Sequence, residues 1–257
     1  MPFMDTAGAQ LHYRTDGSSA NPCVVLSNSL GTDLSMWDAQ AAALALDHYV
    51  IRYDVRGHGL SSPSSTPLDL ARLGLDVIAL LDHLAIERAA FCGISMGGLT
   101  GQWLGIHAPQ RFTRLILANT AARIGTADGW LARAQQVRTE GMSSVAAGAS
   151  ARWFTPAFIA RDPVTVARMT GRLREQDANG YADCCLVLAA ANLREDVGRI
   201  NLPTLIIAGD ADPVTTVADG IWLREQIPNA QLATVPASHI SNIEANMKFT
   251  TQLRAFL

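Results

Sequence analysis

Short runs rich in β-branched or aromatic residues, each bounded by turn residues, recur along this chain at 23–28, 49–54, 89–93, 114–119 and 204–209. Between them lie longer stretches of helical period: 34–46, then 68–84 with Leu73, Val77, Leu80, Leu81 and Leu84 on one face, then 96–107. Strand, helix, strand in succession favours a parallel pairing with a right-handed crossover, so the chain reads as an α/β protein with a mainly parallel sheet. Residues 9–15 alternate apolar and polar and add a half-exposed strand. A helix near 216–226, a strand near 231–235 and a helix over 243–257 close the pattern. The composition allows this: 257 residues, 49% hydrophobic and only 17% charged, can cover both faces of a buried sheet.

The rhythm stops after Asn119. Residues 122–199 carry only helical patterns, interrupted at Pro156, Pro163 and Gly180, before a β pattern resumes at Leu202. We read this as an inserted helical cap, which divides the chain into a core of residues 1–121 and 200–257 and a cap of residues 122–199. Several function classes drop out at this point. A formal charge of -3 with no Lys/Arg cluster lacks the electrostatic footprint that nucleic acid or an anionic membrane surface requires. No stretch reaches the roughly 18 uncharged apolar residues of a membrane span, and Met1-Pro2-Phe3-Met4-Asp5 does not begin a secretory leader, so a cytoplasmic protein is expected. Cys23 and Cys92 sit in apolar runs and Cys184 and Cys185 are adjacent, which suits buried free thiols and neither a disulfide framework nor a zinc site.

Chemistry concentrates at Gly93-Ile94-Ser95-Met96-Gly97, a G-x-S-x-G that directly follows a predicted strand and opens a predicted helix. A turn that sharp forces the serine into a strained backbone conformation and demands small residues two positions to either side. Because a serine hydroxyl is a poor nucleophile at neutral pH, it needs an imidazole to take its proton and an acid to orient that imidazole. In this type of elbow both come later in the chain, acid first. His239 lies in a loop between the last strand and the last helix and is the expected base. For the acid, Asp210 and Asp212 both follow the strand 204–209; Asp212, further along the turn, is preferred, with Asp210 stabilising the turn. His12, His48, His83 and His107 fall in or at the ends of predicted elements and are read as structural. Two N–H groups should receive the developing oxyanion, that of Met96 at the start of the helix and that of Leu30 in the loop after the strand 23–28.

Three segments carry a family resemblance: Ser27-Asn28-Ser29-Leu30-Gly31-Thr32 with Met36-Trp37-Asp38, Arg52-Tyr53-Asp54-Val55-Arg56-Gly57-His58-Gly59-Leu60-Ser61, and Cys92-Gly93-Ile94-Ser95-Met96-Gly97-Gly98. With them the chain resembles the α/β-hydrolase superfamily over its whole length, and most closely the 3-oxoadipate enol-lactonases. The second segment is widespread and marks the fold, with His58 as a structural loop residue; Asn28 stands where such enzymes often have histidine. The resemblance implies a mostly parallel eight-stranded sheet flanked by helices, with the helical cap inserted after the sixth strand. It also implies serine-hydrolase chemistry on 3-oxoadipate enol-lactone in bacterial aromatic catabolism, with no metal or organic cofactor. Such a substrate carries a free carboxylate, for which Trp130, Arg133, Arg152 and Trp153 of the cap are the candidates. The same triad would equally serve a carboxylesterase, a carbon-carbon hydrolase or a cofactor-free perhydrolase, and a scaffold of this kind can also act as a small-molecule receptor. Serine at the elbow argues against dehalogenases and epoxide hydrolases, which need a carboxylate nucleophile there.

Overall fold

Strands covered by helices on both faces must be apolar throughout, and β3 (Cys23–Ser27), β5 (Ala89–Ile94) and β7 (Thr204–Gly209) are buried at every position. In the computed structural model, which describes residues 2–257, they belong to one sheet with β1 (Phe3–Thr6), β2 (Ala9–Asp16), β4 (Tyr49–Tyr53), β6 (Phe112–Ala118) and β8 (Gln231–Val235). Met1, which the sequence reading assigns to the core, lies outside the described residues. The strand order is β1-β2-β4-β3-β5-β6-β7-β8, and only the β1–β2 and β2–β4 pairings are antiparallel. Seven of these strands are expected from the residues directly. The four-residue β1 is not, because Met4 is its one buried position and so short a segment carries no readable alternation.

Helices α1 (Asp38–Leu44), α2 (Leu70–His83), α3 (Met96–His107), α10 (Val217–Gln226), α11 (Ser241–Glu244) and α12 (Asn246–Phe256) flank the sheet. Leu73, Val77, Leu80 and Leu81 form the buried stripe of α2, whose first turn is capped by the Asp69 side chain accepting from Arg72 N–H at 2.7 Å. Two expected helices are shorter than their hydrophobic period. The 34–46 stretch is a 3₁₀ turn over Leu34–Trp37 followed by α1, and the C-terminal stretch breaks at Ala245 into α11 and α12.

Between β6 and β7 the described chain makes six α-helices, α4 (Ala127–Glu140), α5 (Ser143–Ala147), α6 (Ala149–Trp153), α7 (Pro156–Arg161), α8 (Pro163–Arg174) and α9 (Ala178–Ala190). Pro156 and Pro163 do punctuate this insertion, each opening a helix behind a capping Thr155 or Asp162. The break expected at Gly180 does not occur, since Gly180 lies in the first turn of α9. Its missing side chain serves packing instead: a Cβ there would stand 2.4 Å from Gly57 Cα, so this pair brings the insertion against the core. The insertion is held at its root by Leu193 N–H donating to Ala122 O at 2.8 Å.

Candidate active site

The carboxyl ends of β5, β6, β7 and β8 open on one side of the sheet, and the loops leaving them carry the chemistry. Ser95 bridges β5 and α3 with φ 58° and ψ -114°, a left-handed conformation that costs about 1–3 kcal/mol for a non-glycine residue. Its main chain is fixed on both sides: Ser95 N–H donates to Ala118 O at 3.0 Å, and Ser95 O accepts from Thr120 Oγ1 at 2.8 Å. The flanking glycines are obligatory. A Cβ on Gly93 would lie 2.1 Å from Gly97 O, and one on Gly97 would lie 2.5 Å from Ser27 O.

His239 leaves β8 in the loop before α11, and its Nδ1–H donates to Asp212 Oδ2 at 2.8 Å. That bond leaves the Nε2 lone pair to act as a base. The same Oδ2 accepts from Asn119 Nδ2 at 2.9 Å and Thr215 Oγ1 at 2.7 Å, while Oδ1 accepts the N–H groups of Val214 at 2.8 Å and Thr215 at 3.1 Å. Burial pushes the Asp212 carboxyl up, but the hydrogen bond and charge of His239, followed by the donors Asn119 and Val214, hold it below the ordinary value. Asp210 is exposed, and its part in the turn is a main-chain bond to Val235 O at 3.0 Å. Asp212, the aspartate preferred from its place along the turn, is therefore the one against the imidazole. Ser95 and His239 line one cavity; their side chains make no direct hydrogen bond, and contacts of this kind shorten on substrate binding.

Met96 is the first residue of α3, so its N–H has no acceptor within the helix. Leu30 sits in a turn closed by Thr32 N–H donating to Ser29 O at 3.2 Å, and it lines the cavity. This turn is braced from below. Gly31, at φ 80°, donates its N–H to His58 Nε2 at 2.9 Å, and His58 Nδ1–H donates to Arg56 O at 3.1 Å. Burial pushes His58 below its ordinary value, in keeping with a ring that must stay neutral to accept from Gly31. Asn28 faces away from the reaction: its Nδ2 donates to Tyr53 O at 2.9 Å, its Oδ1 accepts from Trp37 Nε1 at 3.1 Å, and its carbonyl accepts from Gly97 N–H at 3.1 Å.

The cavity measures about 400 Å³, and all four expected insertion residues, Trp130, Arg133, Arg152 and Trp153, lie on its wall. Two guanidinium groups thus face a space whose lining contains no Asp or Glu. Arg133 stacks over the Trp130 ring at 5.0 Å, and Arg152 Nη2 donates to Val145 O at 3.0 Å; neither forms an ion pair among the described residues. Burial, then the like charge of Arg133, pulls Arg152 below its ordinary value. Three buried residues near this centre escape the sequence reading: Asn119, Thr215 and Glu244. Thr215 could have been found as the donor three residues after an aspartate in a turn. Asn119 is placed by its sequence at the end of a strand, where this sheet carries function, yet nothing local marks it.

Among the described residues no group of three or more His, Cys, Asp and Glu side chains is placed to hold a metal ion, and no helix is long and apolar enough to cross a membrane. Comparison with known proteins gives a consistent result. A family model described as serine aminopeptidase, S33, matches residues 18–238. The chain is 52% identical to 3-oxoadipate enol-lactonase 2 of Acinetobacter baylyi, covering 99% of this chain and 97% of that one. It is 44% identical to 3-oxoadipate enol-lactonase 1 of the same organism, over 97% and 94%. The crystal structure of the enol-lactonase from Burkholderia xenovorans superposes with a TM-score of 0.97 at 45% identity, over 99% of each chain.

Proposed function

The chain belongs to the α/β-hydrolase family, among its 3-oxoadipate enol-lactonases, and from this premise we propose that it hydrolyses 3-oxoadipate enol-lactone to 3-oxoadipate with Ser95, His239 and Asp212 as its triad. The observation that carries the reading is the pair Arg133 and Arg152, unneutralised by any acid on a wall shared with Ser95 and His239. A neutral ester needs no such pair, whereas a lactone with an acetate arm brings the missing charge.

In this mechanism the substrate carboxylate engages the guanidinium groups and sets the ring carbonyl over Ser95. Ser95 Oγ attacks that carbonyl as His239 Nε2 takes its proton, and the Leu30 and Met96 N–H groups receive the oxyanion. Collapse breaks the bond from carbonyl carbon to ring oxygen. The oxygen leaves as an enolate still tethered within the acyl-enzyme, and protonation, with the imidazolium as donor, yields the ketone. Water deprotonated by His239 then attacks the acyl carbon, and Ser95 leaves with the proton returned. Asp212 stabilises the imidazolium formed in each half-reaction without itself taking the proton.

The insertion, residues 122–199, acts in this reading as the cap that closes the site, and residues 30 and 96 form the oxyanion pocket. The four cysteines, all free and buried, support a cytoplasmic setting. The test is the fall of enol-lactone absorbance with purified protein, alongside labelling by a fluorophosphonate. Wild type should turn over the lactone and label rapidly. Ser95→Ala and His239→Ala should each lose on the order of 10³-fold or more in kcat. Near-normal turnover in either variant rejects the triad, and labelling without lactone turnover rejects the substrate.

A further inference from the structure

The loop that bears His239 is tied to the insertion as well as to the core. Ile240 N–H donates to Trp153 O at 3.0 Å and Ser238 Oγ to Arg152 O at 3.3 Å, so both neighbours of the base rest on the main chain of two residues whose side chains line the cavity. A single carboxylate completes the junction. Glu244, in the short helix after the loop, accepts Ser238 N–H at 2.9 Å and Thr155 N–H at 3.2 Å through Oε2, and the Thr155 hydroxyl through Oε1. It is only 9% exposed and forms no ion pair among the described residues; the nearby Arg161 guanidinium meets its main-chain carbonyl at 3.3 Å instead. A carboxylate withdrawn from water and satisfied wholly by neutral donors is expensive to keep and is replaceable by packing unless its position matters.

We propose that Glu244 is a positioning residue, a latch that fixes the strap Arg152–Thr155 to the Ser238–Ile240 segment and thereby sets the direction of the His239 ring. The inference rests on the reading of His239 as base. It goes further in assigning alignment of the base to the docked insertion: Arg152, whose side chain meets the substrate carboxylate, and Ser238, next to the base, are joined through one strap. Loss of the latch then lowers the rate of the chemical step rather than substrate affinity, because the cavity wall keeps its guanidinium groups while the imidazole loses its aim.

Thr155→Asp isolates the effect. Aspartate at this position still caps α7, as Thr155 does by accepting from Phe158 N–H, but it sets a second carboxylate against Glu244. We expect kcat to fall by about tenfold or more, as for coupled residues in one hydrogen-bond network, with KM nearly unchanged and fluorophosphonate labelling of Ser95 slowed in parallel. Adding Glu244→Gln, whose amide can donate to the introduced carboxylate and accept from Ser238, should restore most of that loss, a reciprocity that mere destabilisation does not produce. Melting temperatures accompany each variant. Wild-type kcat in Thr155→Asp, or a double variant no better than the single, overturns the latch. Should Thr155→Asp not fold, Thr155→Val against Thr155→Ser carries the test: full kcat in the valine variant overturns it, and loss in valine restored in serine supports it. His239→Ala runs beside them. If it remains active the reading of the base has failed, whereas if it is inactive and the latch variants are normal only the latch has.

Discussion

Arg133 and Arg152 allow the charge argument to be tested as a number. A carboxylate 4 Å from one guanidinium, in a half-buried site of effective dielectric about 20, gains roughly 4 kcal/mol of gross Coulomb energy. Both side chains are partly exposed, so most of this is returned as lost solvation, and the net value of a hydrogen bond between charged groups is about 1.5–3 kcal/mol. At 1.36 kcal/mol per tenfold, Arg133→Ala or Arg152→Ala should lower kcat/KM on the natural lactone by roughly 10- to 150-fold. The double variant should lose less than the product of the two, because both cations face one ligand. The control is the same enol-lactone ring with a methyl group in place of the acetate arm. On that neutral substrate each variant should stay within about threefold of wild type, the scale left for incidental packing. Comparing the two lactones also removes a confounding effect, since Arg152 braces Val145 O and its loss can loosen α5 and α6. Absorbance decay under low-substrate conditions gives both ratios. Equal losses on the charged and neutral lactones refute a charge-recognition role for the pair, and retention of full activity on the charged one refutes any role in binding.

Asp212→Asn should reduce kcat by about 10³- to 10⁴-fold, the scale of losing the orienting acid in a Ser-His-Asp hydrolase, while exposed Asp210→Asn should stay near wild type; the reverse ranking in steady-state assays rejects the assignment of the acid. Stability should also fall on acidification in two steps, read as melting temperature against pH. His58 is held below its ordinary value of 6.5, so the unfolded chain takes up that proton first; its contribution is present above about 6.5 and is lost as pH drops from there towards the folded value. Asp212, held below 3.8, contributes stability that persists to lower pH and is lost as pH falls from 3.8 through its folded value. His58→Gln, which keeps an acceptor for Gly31 N–H without a titrating ring, should flatten the first step; an unchanged slope between pH 7 and 5 counts against His58 as its source.

Local signals made the central parts readable and left the junctions invisible. Strands β3, β5 and β7 announce themselves because burial on both faces forces an apolar run, and Ser95 does so because a left-handed serine needs Gly93 and Gly97. Position along the turn separates Asp212 from Asp210, and burial supplies the physical reason. Gly180 misled because a glycine in a helix reads as a break, and the surface it presses on, Gly57, is 123 residues away in sequence. Asn119, Glu244 and the prop supplied by His58 to Gly31 likewise depend on contacts between distant segments, for which a single sequence gives no period to read.

Those distant contacts decide how the site holds together. Asp212 joins β7 to Asn119 at the end of β6 and to His239 after β8, so one carboxylate gathers three segments that meet only in the completed sheet. Asn119 extends the link, since its Nδ2 also donates to Ser238 O at 3.2 Å and its Oδ1 accepts from the Ser241 hydroxyl. The core thus grips the His239 loop from one side through Asn119, and the insertion grips it from the other through Trp153 O and Glu244. Ser95 has no such double tenancy: its neighbours in the elbow are Ala118, Thr120 and the glycines, all in or beside the sheet. Ser95 is therefore fixed by the fold alone, whereas His239 is fixed by the fold and the insertion together. It follows that substitutions of Thr155, the insertion's donor to Glu244, should alter the reaction through His239 while leaving the elbow, and the strain stored in it, untouched.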